Sequence, residues 1–409
     1  MRAVIELSNK LYAGWAKSEI VPPARYPLAG YLARKNASRG SLDPLFVRAL
    51  TLQQGKVRVC LVVADLLLIS DASAVRLQKQ IGRATGISPR NVIVAATHTH
   101  SGPLVDTRPF HLSHSDIGGR VLEFTRELEN IFVRTAVSAH ERLQAVRISY
   151  SLTPIHELAT DRNQPKKDRV QTFTLIQLQA NGSSAVWGVL PCHPTVLGAA
   201  NLRYSGDLHG EIARRYERQF DVALIANGAC ANISTRFTRR SQTQTQVSRS
   251  AASVVHQAEA TPLRACASGT ISIATLTVRL PVKSFRHHEN NEDTALAGRL
   301  ADVAREGKRV AAQLSKTPEF NLRNRSVGVT FLRFGPVSFA AFPFELYAET
   351  GRFLWINAKT VALCYANGYW GYVYGPGASA EDYEVISSPF TARADRLLRE
   401  AVLRLARKT

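Results

Sequence analysis

Two histidines, His98 and His100, stand one residue apart at the end of an apolar run, Asn91-Val92-Ile93-Val94-Ala95-Ala96, and lead into the turn Ser101-Gly102-Pro103. Strand side chains alternate between faces, so the pair is expected on one side, where two imidazoles suit a divalent metal. A His-x-His spacing alone is met equally well by hydrogen-bonded surface or core histidines. The same design recurs twice. The apolar run 185–190 ends in Pro191-Cys192-His193, and the run 337–342 ends in Pro343-Phe344-Glu345. Two polar loops complete the chemical inventory. Thr160-Asp161-Arg162-Asn163-Gln164-Pro165 either brings Arg162 to a site or is a solvated turn, and the small-residue loop 227–236 either presents Ser234 and backbone amides or is an ordinary Gly/Asn/Ser loop.

The elements that must position these residues alternate in type. Residues 57–69 form a strongly apolar strand with one interior acid, Asp65, which needs a hydrogen-bonding or basic partner, or else caps a strand-to-helix turn. Helical spacing covers 72–84 and is stopped by Gly86 and Pro89; a second helix covers 120–143. Strand, helix, strand, helix is the rhythm of an α/β layer. Residues 146–152, 170–179 and 185–190 then read as successive strands, consistent with antiparallel additions. Asp207 is expected to cap a helix running to residue 220, with His209 in its first turn in a structural role. Helices at 243–258 and 292–315 flank strands at 268–283, a hairpin turns at Gly335-Pro336, a strand covers 361–366, and a helix over 391–407 closes the chain.

The chain has 409 residues, 45% of them hydrophobic, enough for a large buried core. No linker, low-complexity run or fixed-period repeat divides it, so a single domain over residues 1–409 is expected. No apolar stretch has the length of a signal peptide or a membrane span, and five widely spaced cysteines fit buried thiols; both point to the cytoplasm. The formal charge of +20 attracts phosphates, anionic membrane surfaces or acidic substrates. Its basic residues are dispersed, with clusters at 162–169, 236–249 and the C-terminal helix, and no aromatic platform or nucleic-acid module accompanies them.

Taken in order, Ala16-Lys17-Ser18-Glu19-Ile20-Val21-Pro22, Gly30-Tyr31, Asp43-Pro44-Leu45-Phe46-Val47-Arg48-Ala49, Asp65-Leu66-Leu67, Thr97-His98-Thr99-His100-Ser101-Gly102-Pro103, Asp161-Arg162-Asn163, His193, Ser205-Gly206-Asp207, Phe342-Pro343-Phe344-Glu345 and Asn367-Gly368-Tyr369-Trp370-Gly371-Tyr372 resemble the neutral/alkaline ceramidase family. Those enzymes are zinc-dependent amidases that split the N-acyl bond of ceramide. The resemblance implies a mixed α/β catalytic domain with mixed sheets, here without the family's C-terminal β-sandwich. It also implies one zinc per chain, held by His98, His193, Glu345 and Tyr369. By the same resemblance His100 becomes a neighbour that contacts substrate, stabilises charge or protonates the leaving amine, and Arg162 is the substrate-site arginine. Tyr372 and Tyr383 are reserve candidates, because the segment after Gly371 is longer than expected. A zinc site with an open position makes hydroxide available near neutral pH, since bound water ionises with a pKa of about 7.

Two departures reshape the substrate side. The family's Gly-Asp-x-Ser-Pro-Asn loop reads Ala231-Asn232-Ile233-Ser234-Thr235-Arg236, keeping the serine and losing the glycine, acid and proline, and a glycine-rich stretch reads Leu104-Val105-Asp106. The expected activity is hydrolysis of an N-acyl bond in ceramide or in another N-acylated, lipid or anionic small molecule. The alternatives are a zinc-dependent esterase and a catalytically degraded basic protein that binds nucleic acid or an anionic membrane.

Overall fold

The computed structural model describes residues 10–106, 118–165, 170–266, 270–283, 305–312 and 323–408. The architecture is α/β with several sheets, as expected. One sheet runs in the order Val92–Ala96, Val57–Ala64, Leu45–Gln54, Leu11–Ile20 and Gln144–Ala145; it is antiparallel except for the first pair, which is parallel. A second runs Val222–Asn227, Ser184–Leu190, Gln171–Gln179, Arg147–Ile155 and Arg264–Cys266, with only the first pair parallel. The middle strands are thus the antiparallel additions that the sequence predicted. A third sheet contains Ile271–Pro281, Asn324–Phe334, Val337–Ala341 and Thr360–Leu363, and its hairpin turns at Gly335-Pro336.

Strand alternation explains why residues 59–64 of the strand Val57–Ala64 are apolar on both faces. Cys60, Val62 and Ala64 enter one core, which also receives the buried faces of the helices Asp71–Thr85 and Gly118–Glu141, while Val59, Leu61 and Val63 enter a second core shared with Trp187, Phe334 and Phe339. The helix Asp71–Thr85 starts at Ser70, whose hydroxyl accepts from Ser73 N at 3.1 Å, and ends at Gly86, whose φ of 69° lies in the left-handed region.

Of the roles left open for the acid in this apolar run, the structure supplies a basic partner. Arg48 Nη1 donates to Asp65 Oδ2 at 2.9 Å, both side chains are buried, and the same guanidinium reaches Glu217 at 2.8 Å. This ties two strands to the helix Asp207–Tyr216.

Four expectations need correction. The strand expected over 57–69 ends at Ala64, so Asp65 lies just beyond it. The strand before the histidines stops at Ala96, so His98 and His100 lie beyond it, and His98 has φ 67°. Strand alternation therefore does not align the two rings; the loop does. The N-cap of Asp207–Tyr216 is Gly206. Asp207 lies one residue later at φ 49°, and its carboxylate turns back to accept from Val196 N, Leu197 N and Leu208 N at 3.3, 3.0 and 2.7 Å. The strand expected over 361–366 ends at Leu363. The helix expected at 292–315 falls mainly outside the described residues, of which 305–312 are helical. No helix among the described residues is long and apolar enough to cross a membrane.

Candidate metal and substrate site

Loops at the ends of buried strands bring His98, His100, His193 and Glu345 together. The ring nitrogens of the three histidines lie within 4.8 Å of one another. His98 Nε2 is 3.4 Å and His193 Nε2 3.2 Å from Glu345 Oε2, and His100 Nε2 is 3.3 Å from His98 Nε2. The Tyr369 hydroxyl donates to Glu345 Oε1. His98 and His193 thus flank one oxygen of Glu345 and Tyr369 the other, with His100 beside them.

The outer partners fix the tautomers. His98 Nδ1 lies 2.8 Å from Leu67 O and His193 Nδ1 2.9 Å from Cys230 O. A carbonyl oxygen only accepts, so each Nδ1 carries the proton and each Nε2 presents a bare lone pair. His193 Nε2 is fully buried without a hydrogen-bond partner. A buried, orphaned lone pair facing a carboxylate and a second bare imidazole nitrogen is a donor set that fits a divalent cation. His100 differs, because its buried Nδ1 has no partner and its tautomer is not locked by a carbonyl. With His98 Nε2 as the acceptor, His100 Nε2 carries the proton between them.

Electrostatics agree. Burial and the neighbouring His98 and His193 push His100 well below the usual histidine range. Burial, aided by Arg162, lowers His193 despite Glu345. Burial would raise the Glu345 carboxyl, but His98 and His193 beside it pull it well below the usual carboxylate range. The shifts of His193 and Glu345 favour a neutral imidazole and an ionised carboxylate, the protonation state a cation requires.

Backbone geometry holds the cluster open. Gly30 has φ +105°, and a Cβ there would stand 2.7 Å from His100 Cα, so only glycine lets this segment pack against the histidine loop. Ser234 is joined to His193 by a β-bridge, and Ile233–Ser234 pairs with Thr160–Asp161. That pairing delivers Arg162 and answers the question left open for both polar loops: each lines the site.

Arg162 Nη2 donates to the Tyr372 hydroxyl at 3.4 Å, Nε pairs with Glu384, and the guanidinium sits 6.0 Å from the Tyr383 ring. Burial alone would lower its pKa; Glu384 and Tyr372 carry it well above the usual value. Tyr372 and Tyr383 therefore stand with Arg162, and Tyr369 stands with Glu345. A cavity of about 240 Å³ joins the groups, lined by Tyr31, His98, His100, Ser234, Glu345 and Tyr372, among others.

A family model described as neutral/alkaline non-lysosomal ceramidase, N-terminal, matches residues 12–239. The chain belongs to that family. Two solved ceramidase structures share the fold of this chain. Neutral ceramidase from Pseudomonas aeruginosa aligns at TM-score 0.75 and 17% identity over 98% of this chain and 75% of its own. A ceramidase complexed with C2 aligns at TM-score 0.74 and 17% identity over 97% and 75%. No curated protein matches the sequence.

Four contributors to this ceramidase-family site escaped the sequence reading of roles. Tyr365 stacks on His98 at 3.9 Å between centroids and donates to Glu345 Oε2 at 3.3 Å. Tyr31 packs 4.9 Å from the His100 ring. Glu384 accepts from Arg162, Asn163 and Tyr347. Arg34 donates to the His100 carbonyl at 2.9 Å. Tyr365 had a usable signal, since it ends an apolar run as His193 and Glu345 do. Glu384 had none, being 222 residues from Arg162.

Proposed function

We propose that the protein is a zinc-dependent hydrolase of N-acyl amides, with His98, His193, Glu345 and Tyr369 as the metal-holding residues. The observation that carries this reading is the pair of Nδ1-to-carbonyl hydrogen bonds that turns the His98 and His193 Nε2 lone pairs toward one carboxylate, that of His193 being buried without a hydrogen-bond partner. Bound zinc supplies Lewis acidity and a coordinated water whose pKa falls to about 7.

The rest is the work of this chain's own groups. His100, neutral in the resting site, receives a proton before it gives one, so it acts first as base and then protonates the leaving amine. Arg162, held by Glu384, keeps its Nη2 on the Tyr372 hydroxyl; together they offer donors to an oxygen that gains charge. Ser234 is occupied differently: its hydroxyl accepts from Arg236 N at 3.3 Å, and no histidine is among its described hydrogen-bond partners, which supports a structural role over a nucleophilic one. The same donors serve an ester, and the assay below compares the two linkages. The reading includes a single domain over residues 1–409 and a reducing, cytoplasmic setting, supported by five free cysteines, four of them buried.

The test is elemental analysis of wild type beside His193→Ala, followed by hydrolysis assays on N-acyl amides and matched esters. Expected are about one zinc per wild-type chain, its loss in the variant, and amide cleavage that tracks zinc. Wild type that takes up no zinc on reconstitution refutes the proposal.

A further inference from the structure

We propose that Tyr365 is a positioning residue of the metal site, whose ring and hydroxyl together lock His98 and Glu345 into the arrangement that receives the ion and thereby set the affinity for it. The inference rests on the metal-site reading and adds a residue to which that reading gives no part.

Tyr365 is completely buried and is not among the described residues that line the cavity, so it acts on the ligands and not on the substrate. Its ring lies against that of His98, 3.9 Å away between centroids with 17° between the planes. Its hydroxyl donates to Glu345 Oε2 at 3.3 Å, the oxygen that faces the Nε2 atoms of His98 and His193, while Tyr369 donates to the other oxygen. The same hydroxyl stands 3.4 Å from Cys230 Sγ, and the Cys230 carbonyl is the partner of His193 Nδ1. The backbone repeats the connection. Tyr365 N donates to Phe344 O at 3.2 Å, one residue before Glu345, and Ala96 N donates to Tyr365 O at 3.1 Å, two residues before His98. One residue thus ties the two ligand-bearing segments together by main chain and by side chain.

Plain core packing does not account for a tyrosine here. Tyr365 has φ 55°, a left-handed conformation that is an outlier for a bulky side chain and that glycine or asparagine takes at less cost. Such outliers persist where the surroundings impose them, and they gather at functional sites. Two demands single out this side chain. A buried carboxylate needs donors, and a phenylalanine would fill the same volume while leaving Glu345 Oε2 without a hydroxyl. The bond from His98 Nδ1 to Leu67 O fixes the tautomer but not the tilt of the ring, which the face of Tyr365 limits. Tyrosine alone meets both demands from one position, and outer groups that orient ligands in this way govern metal affinity.

The experiment compares the full chain as wild type, Tyr365→Phe and Tyr365→Leu. Zinc affinity is read by competition with a chromophoric chelator, and donor geometry by the visible absorption of the cobalt(II)-loaded chain. The metal-free site is read by the side-chain nitrogen resonances of His98, and urea unfolding checks that each variant folds. Tyr365→Phe keeps the stack and loses the Glu345 bond, and its zinc affinity is expected to fall about tenfold; Tyr365→Leu loses both, and a fall of about 100-fold is expected. The cobalt band is expected to shift in both variants, which a residue serving stability alone would not cause. In the metal-free chain the His98 signal is expected to hold in Tyr365→Phe and to broaden in Tyr365→Leu. Wild-type zinc affinity together with a wild-type cobalt band in Tyr365→Phe overturns the proposal, whatever the leucine variant does. A wild type that takes up neither metal sinks the metal reading; the His98 signal then decides the proposal, and an unchanged signal in Tyr365→Leu overturns it. Metal uptake that depends on Tyr365, without cleavage of any N-acyl amide or ester, sinks the hydrolase reading and leaves the role of Tyr365 standing.

Discussion

Replacing Arg48 by methionine tests the link between the buried ion pair and the metal site. Arg48 and Asp65 are both at most 2% exposed, and Asp65 would keep only the Phe46 amide at 2.9 Å on Oδ2, its Oδ1 being already without a partner. Glu217 would lose less, because Lys17 at 2.8 Å and the Ala223 amide remain. The stranded carboxylate is therefore mainly Asp65, and breaking a buried pair from one side costs about 3–5 kcal/mol. That is a large share of a typical total of about 5–15 kcal/mol. Asp65 also leads directly into Leu66 and Leu67, and the Leu67 carbonyl fixes the His98 tautomer. Loss of such an outer hydrogen bond lowers metal affinity by about 10–100-fold. Urea unfolding of wild type, Arg48→Met, Asp65→Asn and the double variant, paired with zinc competition titrations, reads both effects. The double variant is expected to recover part of the single-variant loss, since it leaves no unpaired carboxylate at residue 65 while Glu217 keeps Lys17. An Arg48→Met loss below about 1 kcal/mol, or strict additivity of the two substitutions, would show that the pair does not act as described.

Other outcomes follow from the same geometry. Burial lowers His209 to about 4 and raises Asp207 to about 6. The histidine's stability contribution is present above its unfolded value near 6.5 and is lost as pH falls toward 4; the aspartate's is present below its unfolded value near 3.8 and is lost as pH rises through 6. The two oppose each other between pH 4 and 6.5, so His209→Gln is expected to unmask a decline in stability with rising pH, up to about 3 kcal/mol relative to wild type by chemical denaturation. An unchanged pH profile in that variant refutes the assignment. Glu384→Gln frees the Arg162 guanidinium and is expected to lower kcat/KM by about 10–100-fold while zinc content stays at the wild-type level; loss of zinc would place Glu384 in the metal site instead. Ser234→Ala removes one backbone-capping hydroxyl, and less than about tenfold loss of kcat/KM is expected. Complete loss would make Ser234 part of the chemistry.

The sequence was most readable where one residue type has few uses. Histidines and a glutamate at the ends of apolar runs disclosed the strand-end clustering, and Asp65 in an apolar run called for a polar partner or a capping role, of which the fold supplies a basic partner, Arg48. The alternation of apolar residues predicted layers and the antiparallel middle of the second sheet. What it could not carry was backbone conformation. His98 was placed on a strand, yet a left-handed residue beyond the strand aims its ring, and the same conformation at Asp207 turns a carboxylate expected to cap a helix back onto loop amides. Pairings made entirely by tertiary packing, such as Arg162 with Glu384 or Arg34 with the His100 carbonyl, leave no periodic trace.

Left-handed backbone at His98, Tyr365 and Asn367 has a consequence for how cargo reaches the centre. These conformations cost about 1–3 kcal/mol each and persist only where the surroundings impose them. Here the surroundings are strand hydrogen bonds: Asn367 N donates to Val94 O at 2.7 Å, Val94 N to the Asn367 side chain at 3.0 Å, and Ala96 N to Tyr365 O at 3.1 Å. The receptacle is thus prepaid by the scaffold and does not wait for an ion to shape it. Loading should proceed as docking into a rigid host, its pace set by shedding of water from the incoming ion, with the circular dichroism of empty and filled protein superimposable.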